Sequence, residues 1–268
     1  MNKLGSFFDG LSGDDKLLAS HIYDMAEICD KKYIPRFSSF LDARQAKLAE
    51  SVLCSIGFDR YMFYGGYDEA ERVILGVFPP YSEPDKTEFP MKNLVFRYRE
   101  TDKLSHRDFL GSLMGCRINR NMIGDIIVND GYTVAFVYAT VADNVCTEVR
   151  KIGSVGVNIS EEAEPDIRVN KKFTEICGTV SSLRVDSVVS LAVKLSREKT
   201  AQIIRSGNVT VNYSDDVSVS DEMKEGDVFS ARGYGKFLLD SINGKTKKDR
   251  LHICLLYTSD AADDLTRV

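Results

Sequence analysis

The amino-acid sequence predicts an α+β protein with a mixed, largely helical N-terminal domain, a central domain of alternating strands and helices, and a small C-terminal module. The 268 residues are 43% hydrophobic and 28% charged, so the chain can bury real cores. Helical periodicity marks residues 11–60, and short strands with turn signals follow it. No apolar run approaches the roughly 18 residues that span a bilayer.

The N-terminal domain, residues 1–88, begins with two predicted helices. The stretch "DDKLLASHIYDMAEICDKK" has an acidic start and apolar residues near helical spacing, and "SSFLDARQAKLAESVLCSIG" repeats this pattern up to Gly57. The following "GGYDEAERVILGVFPPYSEPDKTEFP" changes from a short helix to a strand and then to a Pro-rich connection. We therefore place the domain boundary near residue 88.

The central domain, residues 89–165, has a regular order of predicted elements. "NLVFRYR" is a strand, and "SHRDFLGSLMG" is a helix that starts with a Ser cap. "GDIIVND" and "YTVAFVY" are two strands joined by a turn at residues 129–131, and "TVADNVCTEVRKIG" and "SVGVNIS" add a helix and a last strand. The order β-α-β-β-α-β predicts a ferredoxin-like fold, which many RNA-binding modules share.

Four aromatic residues of this domain are candidates for base stacking. Phe96 and Tyr98 lie on the first predicted strand, and Tyr132 and Phe136 lie on the third. RNA-recognition domains use the aromatic residues of these two strands to stack bases. The alternative is that the rings pack under helices, and "GYTVAFVY" does depart from the usual RNP1 pattern.

A basic run at residues 194–212, "KLSREKTAQIIRSGNVTVN", stands out in a chain of net charge −5. Ser196 predicts a helix N-cap, and Gly207 predicts a left-handed residue where the helix ends. At helical spacing Thr200, Ala201, Ile203 and Ile204 share one face, whereas Lys199, Gln202 and Arg205 share the other. The strand "NVTVN" then directs Val209 and Val211 inward.

The charge changes sign twice along the C-terminal part of the chain. Residues 171–212 carry a net charge of +4, residues 213–230 carry −5, and residues 231–250 again carry +4. If the acidic segment lies on the far side of a compact module, the two basic segments meet on one face and attract phosphate. The alternative for the helix alone is a solvated charged face.

The stretch "LRVDSVVSLAVKLSREKTAQIIRSGNVTVN…GDVFSARGYGKF" resembles the S4 RNA-binding domain, which we place at residues 181–243. The matching positions are Arg184, Asp186, Ser196, Arg197, Ala201, Ile204, Gly207, Val209, Val211, Asn212, Gly226 and Asp227. Val185 is a small departure, because the family more often has Leu there. Together with "FYGGYDEAERVILGVFPPY" and "HRDFLGSLMGCRINRNMIGDIIV", this stretch makes the sequence similar to the bacterial YlmH-type proteins over essentially the whole native chain.

This resemblance implies a non-enzymatic, cytoplasmic RNA-binding protein, active as a monomer without cofactor or metal. It further implies association with the large ribosomal subunit, contacts with rRNA and tRNA, and rescue of stalled peptidyl-tRNA in ribosome-associated quality control. Neither DNA nor a membrane is an expected partner. The RNA-binding candidates carried over from the S4 pattern are Arg184, Ser196, Arg197, Lys199, Gln202, Arg205, Asn212, Arg232 and Lys236.

Two other functions remain open at this point. One is an S4-anchored RNA-modifying or tRNA-charging enzyme, although the chain lacks G-R-L-D, H-I-G-H and K-M-S-K-S signatures and any Gly-rich cofactor loop. The other is a cell-division interaction protein whose RNA binding is incidental. The six cysteines form no C-x-x-C pair, so we expect buried free thiols and neither a metal site nor a disulfide framework.

The two ends of the chain carry their own expectations. The N-terminus has no apolar signal region, which favours a cytoplasmic location. The DNA string TGT CTC TTA TAC ACA TCT GAC GCT GCC GAC is similar to a transposon-derived sequencing adapter, and it translates to residues 254–263 without a mismatch. We therefore expect residues 254–268 to be adapter-derived and native residues to be lost after about 253.

Overall fold

The computed structural model describes residue 11 and residues 13–168, 173–214, 216–246 and 249–258. The chain divides into two compact units, unit 1 (residues 1–169) and unit 2 (residues 170–268). Among the helices of the described ranges, none is both long enough and apolar enough to cross a membrane.

Unit 1 contains four described helices and nine described strands. The helices are α1 Gly13–Lys32, α2 Ala43–Ile56, α3 His106–Gly115 and α4 Ala139–Glu148. The strands are β1 Arg36–Leu41, β2 Tyr61–Tyr64, β3 Val73–Val77, β4 Met91–Arg97, β5 Ile123–Val128, β6 Tyr132–Tyr138, β7 Lys151–Ile152, β8 Val155–Gly156 and β9 Asn158–Glu161.

The strands of unit 1 form two larger antiparallel sheets and one hairpin. The first sheet has the order β1-β3-β2, and the second has the order β5-β6-β4-β9. The second sheet, with α3 and α4, follows the predicted chain order β-α-β-β-α-β. The small β7-β8 hairpin, which the sequence analysis did not predict as a separate element, precedes its last strand.

The helix ends of unit 1 follow the capping signals in the sequence. Ser105 and Asp108 form a capping box at the start of α3, as Asp42 and Gln45 do at the start of α2. Gly57 ends α2 with φ of +70°, a left-handed conformation that glycine adopts without a Cβ penalty. The predicted Ser cap and Gly stop are therefore confirmed.

Unit 1 is layered as helices, sheet, sheet and helices. Helices α1 and α2 cover the outer face of the first sheet through residues such as Ile22 and Leu53. Helices α3 and α4 cover the outer face of the second sheet through Phe109 and Val145. The inner faces of the two sheets pack on each other in a third cluster, which includes Phe40, Ile74, Phe78, Phe89, Val95, Ile127, Val134 and Phe136.

The two sheets approach each other closely at Phe136. A Cβ added at Gly66 would lie 2.2 Å from its ring, and one added at Gly124 would lie 2.6 Å from Phe40. These positions require glycine because a side chain would have no room. The expected boundary near residue 88 falls inside this packed unit, and separate domains at residues 1–88 and 89–165 stay a prediction.

Unit 2 packs two helices against one sheet. Its helices are α5 Val185–Val193 and α6 Arg197–Arg205, and its strands are β10 Phe173–Val180, β11 Val209–Val211, β12 Val228–Ala231, β13 Gly235–Lys245 and β14 Leu251–Thr258. The antiparallel sheet has the order β10-β14-β13-β12-β11. The apolar face of α5 is buried at Val185, Val188, Val189 and Ala192, and it packs with Phe229 and Leu239 of the sheet.

One cysteine expectation is wrong. Cys177 and Cys254 form a disulfide, because their positions lie directly opposite each other on β10 and β14 with Cα atoms 4.2 Å apart. Of the other four cysteines, which are free, Cys29 is buried and Cys54 is exposed. Residues 254–258 pair within the sheet; their expected adapter origin stays a prediction, and residues 259–268 lie outside the described ranges.

Candidate nucleic-acid interface

Helix α6 has a buried inner face and a polar outer face, as its sequence pattern predicts. Thr200 and Ile204 are buried, whereas Lys199, Gln202 and Arg205 are exposed. The Ser196 hydroxyl accepts a hydrogen bond from the Lys199 backbone N–H at 3.4 Å, which caps the helix start. Ser196 therefore caps the first turn of α6 and fixes the position of the outer face of the helix.

Two of the candidate arginines converge on one buried carboxylate. Asp186, whose side chain is 8% exposed, accepts hydrogen bonds from Arg197 Nε at 3.1 Å and Nη2 at 2.7 Å, and from Arg184 Nε at 3.3 Å. The arginine side chains are 41% exposed at Arg184 and 49% exposed at Arg197. The carboxylate thus orients both guanidinium groups while leaving about half of each side chain accessible.

Asp186 is a functional candidate that the sequence analysis left out of the site. The guanidinium of Arg197 is held by this carboxylate and also donates to Ser181 Oγ at 3.4 Å. The signal was present in the Arg184-x-Asp186 spacing, which places the acid in the first turn of α5 beside the arginine that precedes it.

The second basic segment reaches the end of α6 through the backbone. The Arg232 N–H donates to the Asn208 carbonyl at 2.9 Å, just after the left-handed Gly207, and the Arg232 side chain is exposed. Lys236 lies on the neighbouring strand with its ammonium 5.4 Å from the centre of the Tyr213 ring. The hydrogen bond therefore joins the two basic segments beside the C-terminal end of α6.

Asn212 has an internal role that the sequence analysis did not predict. Its side-chain amide donates to Asp227 at 2.8 Å, and its carbonyl oxygen accepts from the Val228 N–H at 3.1 Å. Its φ of +49° is left-handed. Because both ends of the amide hold the turn to β12, Asn212 has a scaffold role, and its expected RNA contact stays a prediction.

The base-stacking expectation for the second sheet is wrong at its two phenylalanines. Phe96 is fully buried against Phe109 of α3, with ring centres 5.5 Å apart. Phe136 is fully buried on the opposite face of the sheet, where the Tyr67 ring stacks on it at 5.4 Å. A base cannot stack on a ring that has no exposed face, and the two rings do not share a surface.

The two tyrosine candidates likewise pack against different clusters on the two sides of the sheet. Tyr98 packs with the helix-side cluster, and its hydroxyl donates to the Asn129 carbonyl at 2.7 Å. Burial raises the pKa of Tyr98 above its usual value. Tyr132 is half-buried beside the inter-sheet cluster, so no common stacking face remains for the four aromatic residues.

A second, partly buried carboxylate lies where the two sheets of unit 1 meet. Asp125 on β5 accepts hydrogen bonds from the Tyr67 hydroxyl at 2.8 Å and from the backbone N–H groups of Glu71 at 2.7 Å and Arg72 at 3.1 Å. Burial raises the pKa of Asp125, and the same burial with the adjacent carboxylate raises the pKa of Tyr67. These hydrogen bonds attach the loop before β3 to β5 of the second sheet.

Comparisons with known proteins fit this architecture. Residues 84–166 match a family model described as "Putative RNA-binding domain in YlmH". The chain is 32% identical over 246 residues to "Ribosome-associated protein quality control protein P2" of Bacillus subtilis (strain 168), with 90% of this chain and 94% of that protein covered. A solved structure named "Cell division protein ylmH from Streptococcus pneumoniae" covers 57% of this chain and 93% of its own, with a TM-score of 0.50 and 19% identity. That likeness concerns the fold alone.

Proposed function

Since the chain belongs to the YlmH family, we propose that it is a non-catalytic RNA-binding protein that associates with the large ribosomal subunit. In this proposal unit 2 is the S4 domain and contacts rRNA and tRNA, while unit 1 carries the ferredoxin-like RNA-binding domain. The process that it serves is ribosome-associated quality control of stalled peptidyl-tRNA. The Bacillus relative, named for that process, supports this choice.

The observation that carries the proposal is the outer face of α6 together with its two oriented arginines. Lys199 and Arg205 lie about one and a half turns apart on the exposed face, with Gln202 between them. Arg197 and Arg184 add guanidinium groups that Asp186 holds in place. Arginine can bridge two phosphate oxygens, and its orientation before binding reduces the entropy lost on binding.

The surface has the composition of a phosphate-binding site and lacks that of a catalytic one. Apart from Glu198, the one exposed acid of α6, its exposed polar groups are mainly cationic or amide side chains, which contact phosphate oxygens and bases and read the shape of a folded RNA. Neutralised phosphates release condensed counterions, so binding must weaken steeply as salt is raised. RNA anchoring by unit 2 is therefore the chemistry that these residues favour.

The test is co-sedimentation of the full chain with salt-washed large ribosomal subunits over a series of salt concentrations. We expect Arg197→Glu with Arg205→Glu to abolish binding. A second variant, Lys199→Glu with Arg205→Glu, leaves the Asp186 bridge intact and should also bind at least about tenfold more weakly. The control, Lys16→Glu with Lys32→Glu on the exposed face of α1, makes the same change in net charge and should bind as the wild type does.

Two results would count against the proposal. Unchanged sedimentation of both α6 variants would remove the outer face of α6 as the RNA surface. Failure of the wild-type chain to bind subunits at low salt would reject the ribosomal association itself. Circular dichroism of each variant shows whether weaker binding comes from the altered surface or from an unfolded chain.

A further inference from the structure

Helix α3 and the β7-β8 hairpin of unit 1 form an exposed basic surface that is separate from the α6 interface. Its cations are Arg107 in the first turn of α3, Arg117 just after the helix, and Arg150 and Lys151 at the start of the hairpin. All four are exposed. None of them forms a salt bridge with a carboxylate of the described residues, whereas Lys92, Arg97 and Lys103 of the same sheet and its loops do.

The elements that carry these cations are packed on one another. The Gly153 N–H at the hairpin tip donates to Ser112 Oγ of α3 at 3.3 Å. Leu113 of α3 and Ile152 of β7 belong to the same buried cluster, as do residues that flank Arg117 and Arg150 in the chain. The four positive charges therefore lie on one packed layer, with Arg107 and Arg117 at opposite ends of α3, and we name this region the α3 surface.

The α3 surface has a gap at two glycines, which lie beside the exposed side chains of Met114 and Asp108. Gly111 and Gly115 lie on the exposed face of α3 between Arg107 and the side that contacts the hairpin, and a Cβ at either position would meet no atom within 4 Å. Glycine inside a helix costs about 0.5–1 kcal/mol relative to alanine, and tight packing does not explain it here. The gap allows a ligand to approach the helix backbone closely.

The excess of positive charge is found at α3 and the hairpin and not on the neighbouring helix α4. The exposed face of α4 carries Asp143 and Glu148 and has no cation. On α3 the one exposed acid, Asp108, accepts hydrogen bonds from the N–H and hydroxyl of Ser105, which lower its pKa. The four cations outnumber this one ionised acid, so the α3 surface is net positive, whereas the exposed face of α4 is net negative.

The opposite face of the same sheet is unavailable to a ligand. Val134 and Phe136 are buried against the first sheet, and the loop that Asp125 holds lies over Phe136. An RNA-binding domain of this topology would ordinarily bind through that face. Here the α3 surface is the basic, exposed alternative in the same layer.

We propose that the α3 surface is a second RNA-binding site, which takes the sugar-phosphate backbone of a folded RNA. This inference rests on the proposed RNA-binding function and names a further contact of it. The four cations contact phosphates, and the glycine gap admits the backbone between them. Recognition is by shape and charge, since the surface presents no aromatic ring for base stacking among the residues that define it.

The test measures the affinity of the full chain for salt-washed large ribosomal subunits and for protein-free large-subunit rRNA as salt is varied. We expect Arg107→Glu with Arg117→Glu to weaken both by about tenfold and to reduce the slope of log affinity against log salt by about two, one for each phosphate that is no longer neutralised. Lys16→Glu with Lys32→Glu on α1 is the control for net charge and should leave affinity and slope unchanged.

A neutral variant tests the glycine gap separately. Gly111→Gln should stabilise α3, because glutamine is the better helix former. It should nevertheless weaken RNA binding several-fold with an unchanged salt slope, because the new side chain fills the gap. Unchanged affinity in this variant would remove the close approach and overturn that part of the proposal.

The possible outcomes separate this inference from the proposed function. If the α6 variants lose binding while Arg107→Glu with Arg117→Glu keeps wild-type affinity and slope, the second site is refuted and the proposed function stands. If the α3 variant loses affinity for subunits but not for protein-free rRNA, the surface binds a protein and the RNA assignment is overturned. If the wild-type chain binds neither probe, both proposals fail.

Discussion

Replacing Asp186 should change stability and RNA affinity by amounts that can be worked out from its hydrogen-bond partners. Removing one partner of a fully buried ion pair costs about 3–5 kcal/mol, because a charge is left unpaired. Here both arginines are about half exposed and can recover hydrogen bonds with water. We therefore expect Asp186→Ala to lower the free energy of unfolding of unit 2 by only about 1–2 kcal/mol, which is less than a fully buried pair would cost.

The direction in which Asp186→Ala changes RNA affinity distinguishes an effect of arginine orientation from an effect of net charge. Without the carboxylate, Arg184 and Arg197 must be ordered by the RNA itself, at about 0.5–1.5 kcal/mol for each side chain. For two side chains that cost is about 1–3 kcal/mol, which predicts roughly 5- to 150-fold weaker binding. If only net charge mattered, removal of an acid would make the surface more positive and strengthen binding. The oriented-arginine explanation therefore predicts weaker binding where the charge explanation predicts tighter binding.

The assay is a salt-controlled titration of large ribosomal subunits with the wild type, Asp186→Ala and Asp186→Asn. Asp240→Asn is the matched control, because it removes one exposed acid from β13 without touching either arginine. Fluorescence-monitored urea unfolding should show that both Asp186 variants are folded under the assay conditions. Tighter or unchanged binding by both of them would refute the role of Asp186 as the residue that positions the arginines.

Four further outcomes follow from the described contacts. Asp125→Ala leaves three donors of unit 1 without their acceptor and should cost about 2–3 kcal/mol in urea unfolding. Burial raises the pKa of Asp125 above the ordinary Asp value of about 4. As pH rises from that value toward the raised one, the free energy of unfolding of the wild type should therefore fall relative to that of Asp125→Asn. A difference in unfolding free energy between the two proteins that stays constant across this pH window would contradict the prediction. Phe96→Ala should cost about 3–5 kcal/mol through its cavity, yet the folded variant should keep wild-type RNA affinity. Asn212→Ala should lower the melting temperature of unit 2 far more than Gln202→Ala, whose effect should appear in RNA affinity.

The local features of α6 could be predicted because they depend on neighbouring residues alone. Ser196 caps the helix, Gly207 adopts a left-handed φ of +70°, and the 3.6-residue period divides Ile204 from Arg205. None of these features requires knowledge of what packs against the module. The same reasoning predicted the capping of α3 by Ser105 and the stop of α2 at Gly57.

The aromatic residues of the second sheet were misassigned because a sequence does not fix the register between strands. Alternation separates the two faces of one strand, but it does not reveal which face of β6 lies beside a given face of β4. In the structure Phe96 lies opposite Thr133, and Arg97 lies opposite Tyr132. This register places Phe96 and Phe136 on opposite faces, and the first sheet then covers the face that contains Phe136.

An acidic protein with cationic surfaces suits a selective RNA ligand better than a uniformly basic one. A net charge of −5 is largely screened from nucleic acid beyond the Debye length of about 8 Å in physiological salt, so only closer charges act strongly on a ligand. An RNA whose shape brings several phosphates to α6 at once therefore gains a local attraction that the acidic remainder of the chain does not cancel. Because Asp186 holds two of the arginines in advance, that gain requires little further ordering of the protein. Selectivity for a folded RNA over extended single strands then follows from the spacing of the cations, since no long basic tract contributes to the described surfaces.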